Sequence, residues 1–281
     1  MIFRNSYDVV IVGNITKDFF EYNSTFNVGG SSIYAGIGSA MMGLKTLIIS
    51  NHSISESDLP NHDQLDIYCV NSESNTEFVW NYEKKIRKGI IKNYTKKINL
   101  NLKSKIKTKM LMIAPIFNEL DLDVRNNFDC EISLLSPQGL TRHLNKKSEI
   151  CLKKISLNEN FHDIDLISYS EEEDDYIDKK YLFNYVKYIA VTLSEKGAKI
   201  YSDYNKSAQF NSYTPDRVLD PTGAGDIFAL YLLVYYYKTK SIEFAVNIAN
   251  CAASFVVENL GINGIPSNEY VTNRLNIIKH E

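Results

Sequence analysis

Asp220, Pro221, Thr222, Gly223, Ala224, Gly225 and Asp226 stand directly ahead of an almost wholly apolar segment, Ile227 to Tyr237. Pro221 stops any preceding element, and Gly223 and Gly225 let the backbone turn while removing side chains that would hold a ligand away from it. If the apolar segment is helical, the bare amides are its unsatisfied first N–H groups, and the helix dipole adds positive potential where phosphoryl oxygens could sit. Asp226 then falls in the first turn. A carboxylate there has no phosphate-binding use of its own, and its natural role is to accept the proton of an attacking hydroxyl. Dipole compensation alone would explain one acid, at about 0.3–1 kcal/mol. It gives no reason for two acids, a threonine and two glycines at these spacings. The residue types point to phosphoryl transfer to a small molecule.

Such a reaction needs a second pocket, for the acceptor. Asn27 to Ser32 offers one, because the paired glycines Gly29 and Gly30 precede a helical pattern and again expose amides. Asp18 follows Gly13, at the end of the first apolar run, by five residues. A carboxylate suits a diol, since it accepts both hydroxyl protons as hydrogen bonds. Taken alone, Asp18 would equally be a solvated turn residue.

The elements that must position these groups read as an α/β chain. Val9 to Val12 is a short apolar run ended by Gly13, the pattern of a strand buried on both faces of a parallel sheet. Similar runs recur at Thr46 to Ser50, Met110 to Ala114, Ile132 to Leu135, Ile164 to Ile167 and Tyr188 to Leu193. The stretches between them are long enough for helices, which implies a layered α/β fold. Ser32 to Met42, closed by Gly43, and Ser241 to Asn259, closed by Gly261, read as helices with a glycine C-terminal cap. Residues 15–28 and 76–94 break this rhythm. In the second, Phe78, Trp80 and Tyr82 alternate with Glu77, Val79 and Asn81, a period of two that argues for antiparallel strands. They would form either a small sheet closing a cleft as a lid or an edge hairpin of the main sheet. An exposed aromatic face on them could also pair two chains into a homodimer. The expected organisation is one domain over 1–281 with these lid strands inserted.

The 281 residues are 44% hydrophobic and 23% charged, as in an ordinary globular protein. A formal charge of −3 gives no general reason to expect nucleic acid or membrane partners. The basic run from Lys84 to Lys109 reads as a solvated face. Four scattered cysteines without CxxC spacing read as reduced thiols of a cytoplasmic protein. The five histidines form no zinc pattern. Met1 to Asp8 is read as neither a signal peptide nor an anchor.

The string Asp220 to Asp226 resembles the signature of the ribokinase or PfkB carbohydrate-kinase family at every position, and weaker likeness extends from Val9 to about Pro266. The resemblance implies a ribokinase-like three-layer α/β fold, with a mostly parallel central sheet flanked by helices and a small β-sheet lid. It implies ATP as donor and Mg2+ as cofactor, with a hydroxyl of a sugar, an inositol-like polyol or a nucleoside as acceptor. Asp226 would be the base, and the amides of Gly223, Ala224 and Gly225 would stabilise the phosphoryl oxygens. Asp18, Gly29 and Gly30 would orient the acceptor, near Tyr34, which stands where many sugar kinases have asparagine. Pro137 to Arg142 is similar to a segment of branches that include inositol kinases, so Arg142 would contact substrate or cap a helix. Glu173 matches the acid of a magnesium-ordering NxxE element, with Ser170 in the place of its asparagine. Thr192, Ser194 and Gly197 resemble the TxGxxG loop on the nucleotide side, with Ser194 in place of a glycine. Close approach to a phosphate there would demand a φ that a non-glycine residue can adopt, so a different local contact is expected. Thr222 belongs to the nucleotide side, and Asn250, with Ala253, falls where the family lines the adenine pocket. Some members also need a monovalent cation such as K+ beside the segment occupied here by Asp220 and Thr222. The alternatives are a non-catalytic nucleotide- or sugar-binding protein on the same fold, and a hydroxymethylpyrimidine-type kinase.

Overall fold

The computed structural model describes residues 6–20, 25–83, 86–156 and 159–278, with the side chains of 81–88 and 277–278 excepted. The amino-terminal half runs β1 (Tyr7–Val12), β2 (Thr16–Phe20), β3 (Phe26–Gly29), α1 (Ser31–Met41), β4 (Thr46–Ser50) and β5 (Leu65–Cys69). It continues through β6 (Thr76–Glu83), β7 (Ile86–Asn93), β8 (Ile106–Ile113), β9 (Phe128–Leu135) and α2 (Gln138–Thr141). Next come β10 (Arg142–Leu144), β11 (Ile150–Leu152), β12 (Leu166–Ser170), α3 (Lys179–Leu182) and β13 (Tyr188–Thr192). The chain closes with β14 (Ala198–Asp203), β15 (Lys206–Phe210), α4 (Ala224–Thr239), α5 (Ile242–Val256) and α6 (Asn268–Ile278).

Nine strands form the main sheet in the order β15-β14-β13-β12-β9-β8-β1-β4-β5. The pairs from β5 to β13 are parallel, and β13, β14 and β15 pair antiparallel at one edge. The apolar run of β1 serves both faces, as its lack of alternation implies. Val9 and Ile11 enter the core beneath α1, α4 and α5, and Val10 and Val12 enter the core on the opposite face. α4 is apolar all round and is therefore the central helix, buried from Ile227 to Val234 and packed between α1, α5 and the sheet. Gly43 takes φ +76 after α1, the left-handed cap expected of it. α5 ends earlier than its sequence suggests, at Val256, and Gly261 opens a separate 3-10 turn, Gly261–Gly264, instead of capping the helix. The strand read at Ile164 begins at Leu166. The second face of the sheet is covered by α3, by short 3-10 turns such as Leu122–Asn127 and Glu171–Tyr176, and by loops. Acid-rich linkers such as Glu171 to Asp175 lack the apolar stripe that a longer helix would bury.

β3, β2, β6 and β7 form a separate four-stranded sheet in that order, so the aromatic-rich strands are not an edge of the main sheet. Phe78 and Trp80 stack at 5.1 Å and are 1% and 7% exposed, packed with Ile91 and Ile116 and flanked by Leu144 and Ile150. This corrects the expected aromatic surface for pairing two chains: those rings cover the molecule's own interior. The β10–β11 hairpin meets β7 from the side through an Ile90–Glu149 bridge and an Ile91 N–H to Ser148 O bond of 3.2 Å. The basic run carries surface ion pairs, Lys96–Glu73 at 3.1 Å, Lys97–Asp121 at 2.8 Å and Lys109–Asp8 at 2.8 Å. Among the described residues no helix is long and apolar enough to cross a membrane.

Candidate active site

The turn ahead of α4 is folded by its own first acid. Asp220 accepts from the amide of Thr222 through Oδ1 at 2.9 Å and from the amide of Gly261 through Oδ2 at 3.2 Å. Thr222 Oγ1 is buried beside it without a hydrogen-bond partner. Gly223 caps α4 at φ +85, and a Cβ there would stand 2.2 Å from the Tyr34 ring, so the position requires glycine twice over. Ala224 N–H turns back to Pro221 O at 3.3 Å. Gly225, in the first turn, has no helical carbonyl to reach, and a Cβ on it would meet nothing within 4 Å. Asp226 follows as the acid of that turn.

Asp226 and Gly225 open onto a cleft at the carboxyl ends of the parallel strands. Glu173 and Thr192 line it, with Ser136, Gln138, Ser168, Tyr169 and Ser170. Glu173 is 4% exposed and is held by a capping box: Oε2 accepts from Ser170 N at 3.1 Å and Ser170 Oγ at 3.3 Å. Its other oxygen accepts from Thr141 Oγ1 at 3.0 Å. Ser170, in the place of the family's asparagine, caps this turn and holds the Glu173 carboxylate. Burial, and then the Asp174 carboxylate that accepts its hydroxyl at 3.0 Å, push the Tyr169 phenol well above its ordinary pKa. It remains a neutral donor.

Thr192 ends β13 opposite Ser170, its hydroxyl 3.4 Å from Tyr169 O. Ser194 takes φ +53, in the left-handed region that a non-glycine residue seldom adopts. Gly197 lies at φ +89 with its missing Cβ 2.1 Å from Phe210 O. Asn250, on α5, donates to Asn211 O at 3.1 Å and Phe210 O at 3.4 Å, tying down the loop after β15.

On the other side, Asp18 sits on β2 and is 6% exposed; Thr16 Oγ1 donates to its Oδ1 at 2.8 Å. A Cβ on Gly29 would stand 2.3 Å from Asp18 Oδ2, so that glycine makes the seat for the carboxylate. Gly30, at φ +96, caps α1 with its missing Cβ 2.4 Å from Asn14 O. Asp18 is the register partner of Phe78, and Arg142 lies over that ring at 5.7 Å while donating to Ile116 O at 3.1 Å. Tyr34 is 3% exposed and sits in the core between the two clusters, with its ring against Gly223.

The structure thus gathers Gly225, Asp226, Glu173 and Thr192 in one cleft, and Asp18, Gly29, Gly30 and Arg142 around the small sheet. Three residues that the sequence reading passed over help to hold them. Glu119 is 1% exposed and accepts from the amides of Asn14 at 2.9 Å, Ile116 at 2.8 Å and Phe117 at 2.8 Å, pinning the ends of β1 and β8 together. A lone glutamate in a loop gives no signal of this. Gln138 and Thr141 lie in the Pro137–Arg142 string, whose arginine alone attracted notice.

Residues 152–268 match the model of the pfkB family carbohydrate kinase. A nucleoside kinase of Methanocaldococcus jannaschii is 34% identical over 105 residues, which is 37% of this chain and 32% of that relative. The match therefore spans about a third of that relative's length. A pyrophosphate-dependent kinase of the ribokinase family, solved with sulfate, superposes at a TM-score of 0.73 with 16% identity over 95% of this chain and 99% of that one. Arabidopsis thaliana ribokinase, complexed with ribose and ATP, gives 0.68 with 18% identity over 96% and 99%. The Methanocaldococcus jannaschii nucleoside kinase structure gives 0.71 with 19% identity over 96% and 98%. The architecture is the ribokinase fold. The sequence likeness to the PfkB family is carried by residues 152–268.

Proposed function

We propose that this chain transfers the terminal phosphoryl group of ATP to a hydroxyl of a sugar, an inositol-like polyol or a nucleoside. The observation that carries the reading is Asp226 in the first turn of α4, sharing one cleft with Gly225, Glu173 and Thr192. Asp226 accepts the proton of the attacking hydroxyl, and the amides of the Gly223–Gly225 turn stabilise the phosphoryl oxygens. One such donor is worth roughly 3 to 4 kcal/mol when lost. Asp18, Gly29 and Gly30 orient the acceptor, and Arg142, held over Phe78, faces the same side. Tyr34 serves the acceptor side through the α1 end that it supports. The small sheet excludes water from the reacting atoms, which limits hydrolysis of the donor. Thr192, Ser194, Gly197, Thr222 and Asn250 form the nucleotide side.

Magnesium, when bound with the nucleotide, supplies neutralisation of the phosphate charge. Among the described residues no three ligating side chains gather around a metal position. Glu173, buried and lining the cleft, suits an outer partner acting through water, the usual mode for an ion held mainly by phosphates. Thr222 Oγ1, buried and unpartnered beside Asp220, is the oxygen best suited to a monovalent cation such as K+.

The test is ADP release with magnesium and ATP across a panel of sugars, inositols and nucleosides, wild type beside Asp226→Asn. At least one acceptor should turn over, and the variant should fold normally and lose on the order of 10²- to 10⁴-fold in kcat. ATP binding without turnover on any acceptor would instead indicate a binding protein, and an undiminished Asp226→Asn rate would remove Asp226 as the base.

A further inference from the structure

The segment Ser136–Arg142 runs between the two halves of the site and is fixed at several points. Gly139 lies so close to the preceding loop that a Cβ on it would stand 2.5 Å from the Pro115 carbonyl carbon. Its amide donates to Pro115 O at 2.9 Å, and its carbonyl accepts from Asn118 N at 2.9 Å. Thr141 is buried and donates to Glu173, and Arg142 donates to Ile116 O. Gln138 is different. Its carbonyl oxygen lies 2.9 Å from Thr141 Oγ1, whose single hydrogen is shared with Glu173, and the half-buried residue lines the cleft with Asp226, Gly225 and Glu173.

The rest of that lining supplies two carboxylates and several hydroxyls. Among the described residues, Gln138 brings the one side-chain N–H to it. An amide there is uncharged, so it neither competes with Asp226 for a proton nor neutralises it, and it adjoins Gly139, which is hydrogen-bonded to Pro115 and Asn118. Those are the properties of a preorganised donor to developing negative charge.

We propose that Gln138 is a further catalytic residue, whose Nε2 donates a hydrogen bond to a non-reacting oxygen of the terminal phosphoryl group. In the step it serves, the acceptor oxygen forms a bond to the terminal phosphorus as the bond to the leaving diphosphate breaks. The hydroxyl proton passes to Asp226, and Gln138 keeps both its amide hydrogens. Thr141 is a positioning residue beside it, acting through Glu173. The inference rests on the phosphoryl-transfer reading of the same cleft.

The experiment compares wild type, Gln138→Ala and Gln138→Glu in magnesium-dependent binding of ATP and of ADP by calorimetry, and in turnover with an acceptor found by the panel. Gln138→Glu keeps the size of the side chain and replaces its donor with a third carboxylate. Gln138→Ala should lower kcat by about 10²-fold while the acceptor KM stays within about twofold, and Gln138→Glu should lower kcat further. Both should weaken ATP more than ADP, because ADP lacks the phosphoryl group being held. An ATP-to-ADP affinity ratio unchanged in Gln138→Glu, or a loss confined to acceptor KM, would overturn the assignment. If the wild type binds ATP but turns over no acceptor, the reaction fails as a reading while the affinity ratio still decides Gln138. No binding of ATP by the wild type overturns both.

Discussion

Gly223 and Gly225 stand two residues apart in one signature and do different work. At Gly223 the backbone is left-handed and the space is filled by the Tyr34 ring. At Gly225 the backbone is helical and a Cβ would point into open space. Gly223→Ala should therefore destabilise the fold, by at least about 1–2 kcal/mol for the left-handed backbone alone. Gly225→Ala should leave the unfolding temperature unchanged or raise it, since alanine is the better helix residue by up to about 1 kcal/mol. Its methyl would occupy the space that a phosphoryl oxygen needs, so kcat/KM for ATP should fall by on the order of 10²-fold. Thermal unfolding and ADP release on the two variants check this, and a fully active Gly225→Ala would mean that the donor binds elsewhere. The spacing of the string could give the turn but not this division, because what distinguishes the two glycines is a ring contributed by α1 from far away in the chain. Ser194 shows another limit of residue type: a serine gives no sign of the left-handed φ of +53 that it takes in the turn. Gln138, Thr141 and Glu119 left no mark because single neutral or lone acidic residues acquire meaning only from what packs beside them.

At the scale of elements, the strand runs at Val9, Thr46, Met110, Ile132 and Tyr188 were legible because strands buried on both faces must be apolar throughout. The small sheet was legible as a break in that rhythm, but not its support. Phe78 and Trp80 rest on Ile116, Leu144 and Ile150, which come from a loop and from the β10–β11 hairpin. Neither strand of that hairpin exceeds three residues, too few to show a period. Ile150 is the contact to test: its Cδ1 lies 2.7 Å from where a Cβ on Gly89 would be, beside the Trp80 ring. Ile150→Ala should cost about 1–3 kcal/mol, less than a fully buried isoleucine because Ile150 is only partly buried. The loosened sheet should raise the acceptor KM several-fold with little change in KM for ATP, and should shift the emission of Trp80, the one tryptophan in the chain, to the red. Equal losses on both substrates with unchanged emission would remove the sheet from the acceptor side.

At the scale of the molecule, the main sheet separates two cores, one holding a buried cysteine and the other flanked by a partly buried one. Cys251 lies on α5 in the helical core, its thiol 3.6 Å from Val271 O, and Cys130 lies on β9 against the other core. Burial pushes the Cys251 thiol up to about 12 and the Cys130 thiol up to about 11, from an ordinary value of 9.0. Burial likewise raises the phenols of Tyr169 and Tyr231. The sign of the linkage follows from which state loses its protons first. Below about pH 8 the thiols are protonated whether the chain is folded or not, and they contribute no pH dependence. Above about pH 9 the unfolded chain deprotonates while the folded chain holds its protons, so unfolding becomes progressively more favourable until the folded values of about 11 and 12 are passed. Each thiol steepens the fall by at most about 1.4 kcal/mol per pH unit. The unfolding temperature should therefore rise slightly from pH 6 to about 7, where the burial that lowers the His52 pKa makes the unfolded chain the one that binds the proton, and should decline from about pH 9 upward. Cys251→Ala, which loses some packing at every pH, should start lower and decline less steeply, because one of the groups that drives the alkaline loss is gone. Thermal unfolding scans of both proteins from pH 6 to 11 make the comparison, and parallel curves would show that the buried thiol at the centre of α5 takes no part in it.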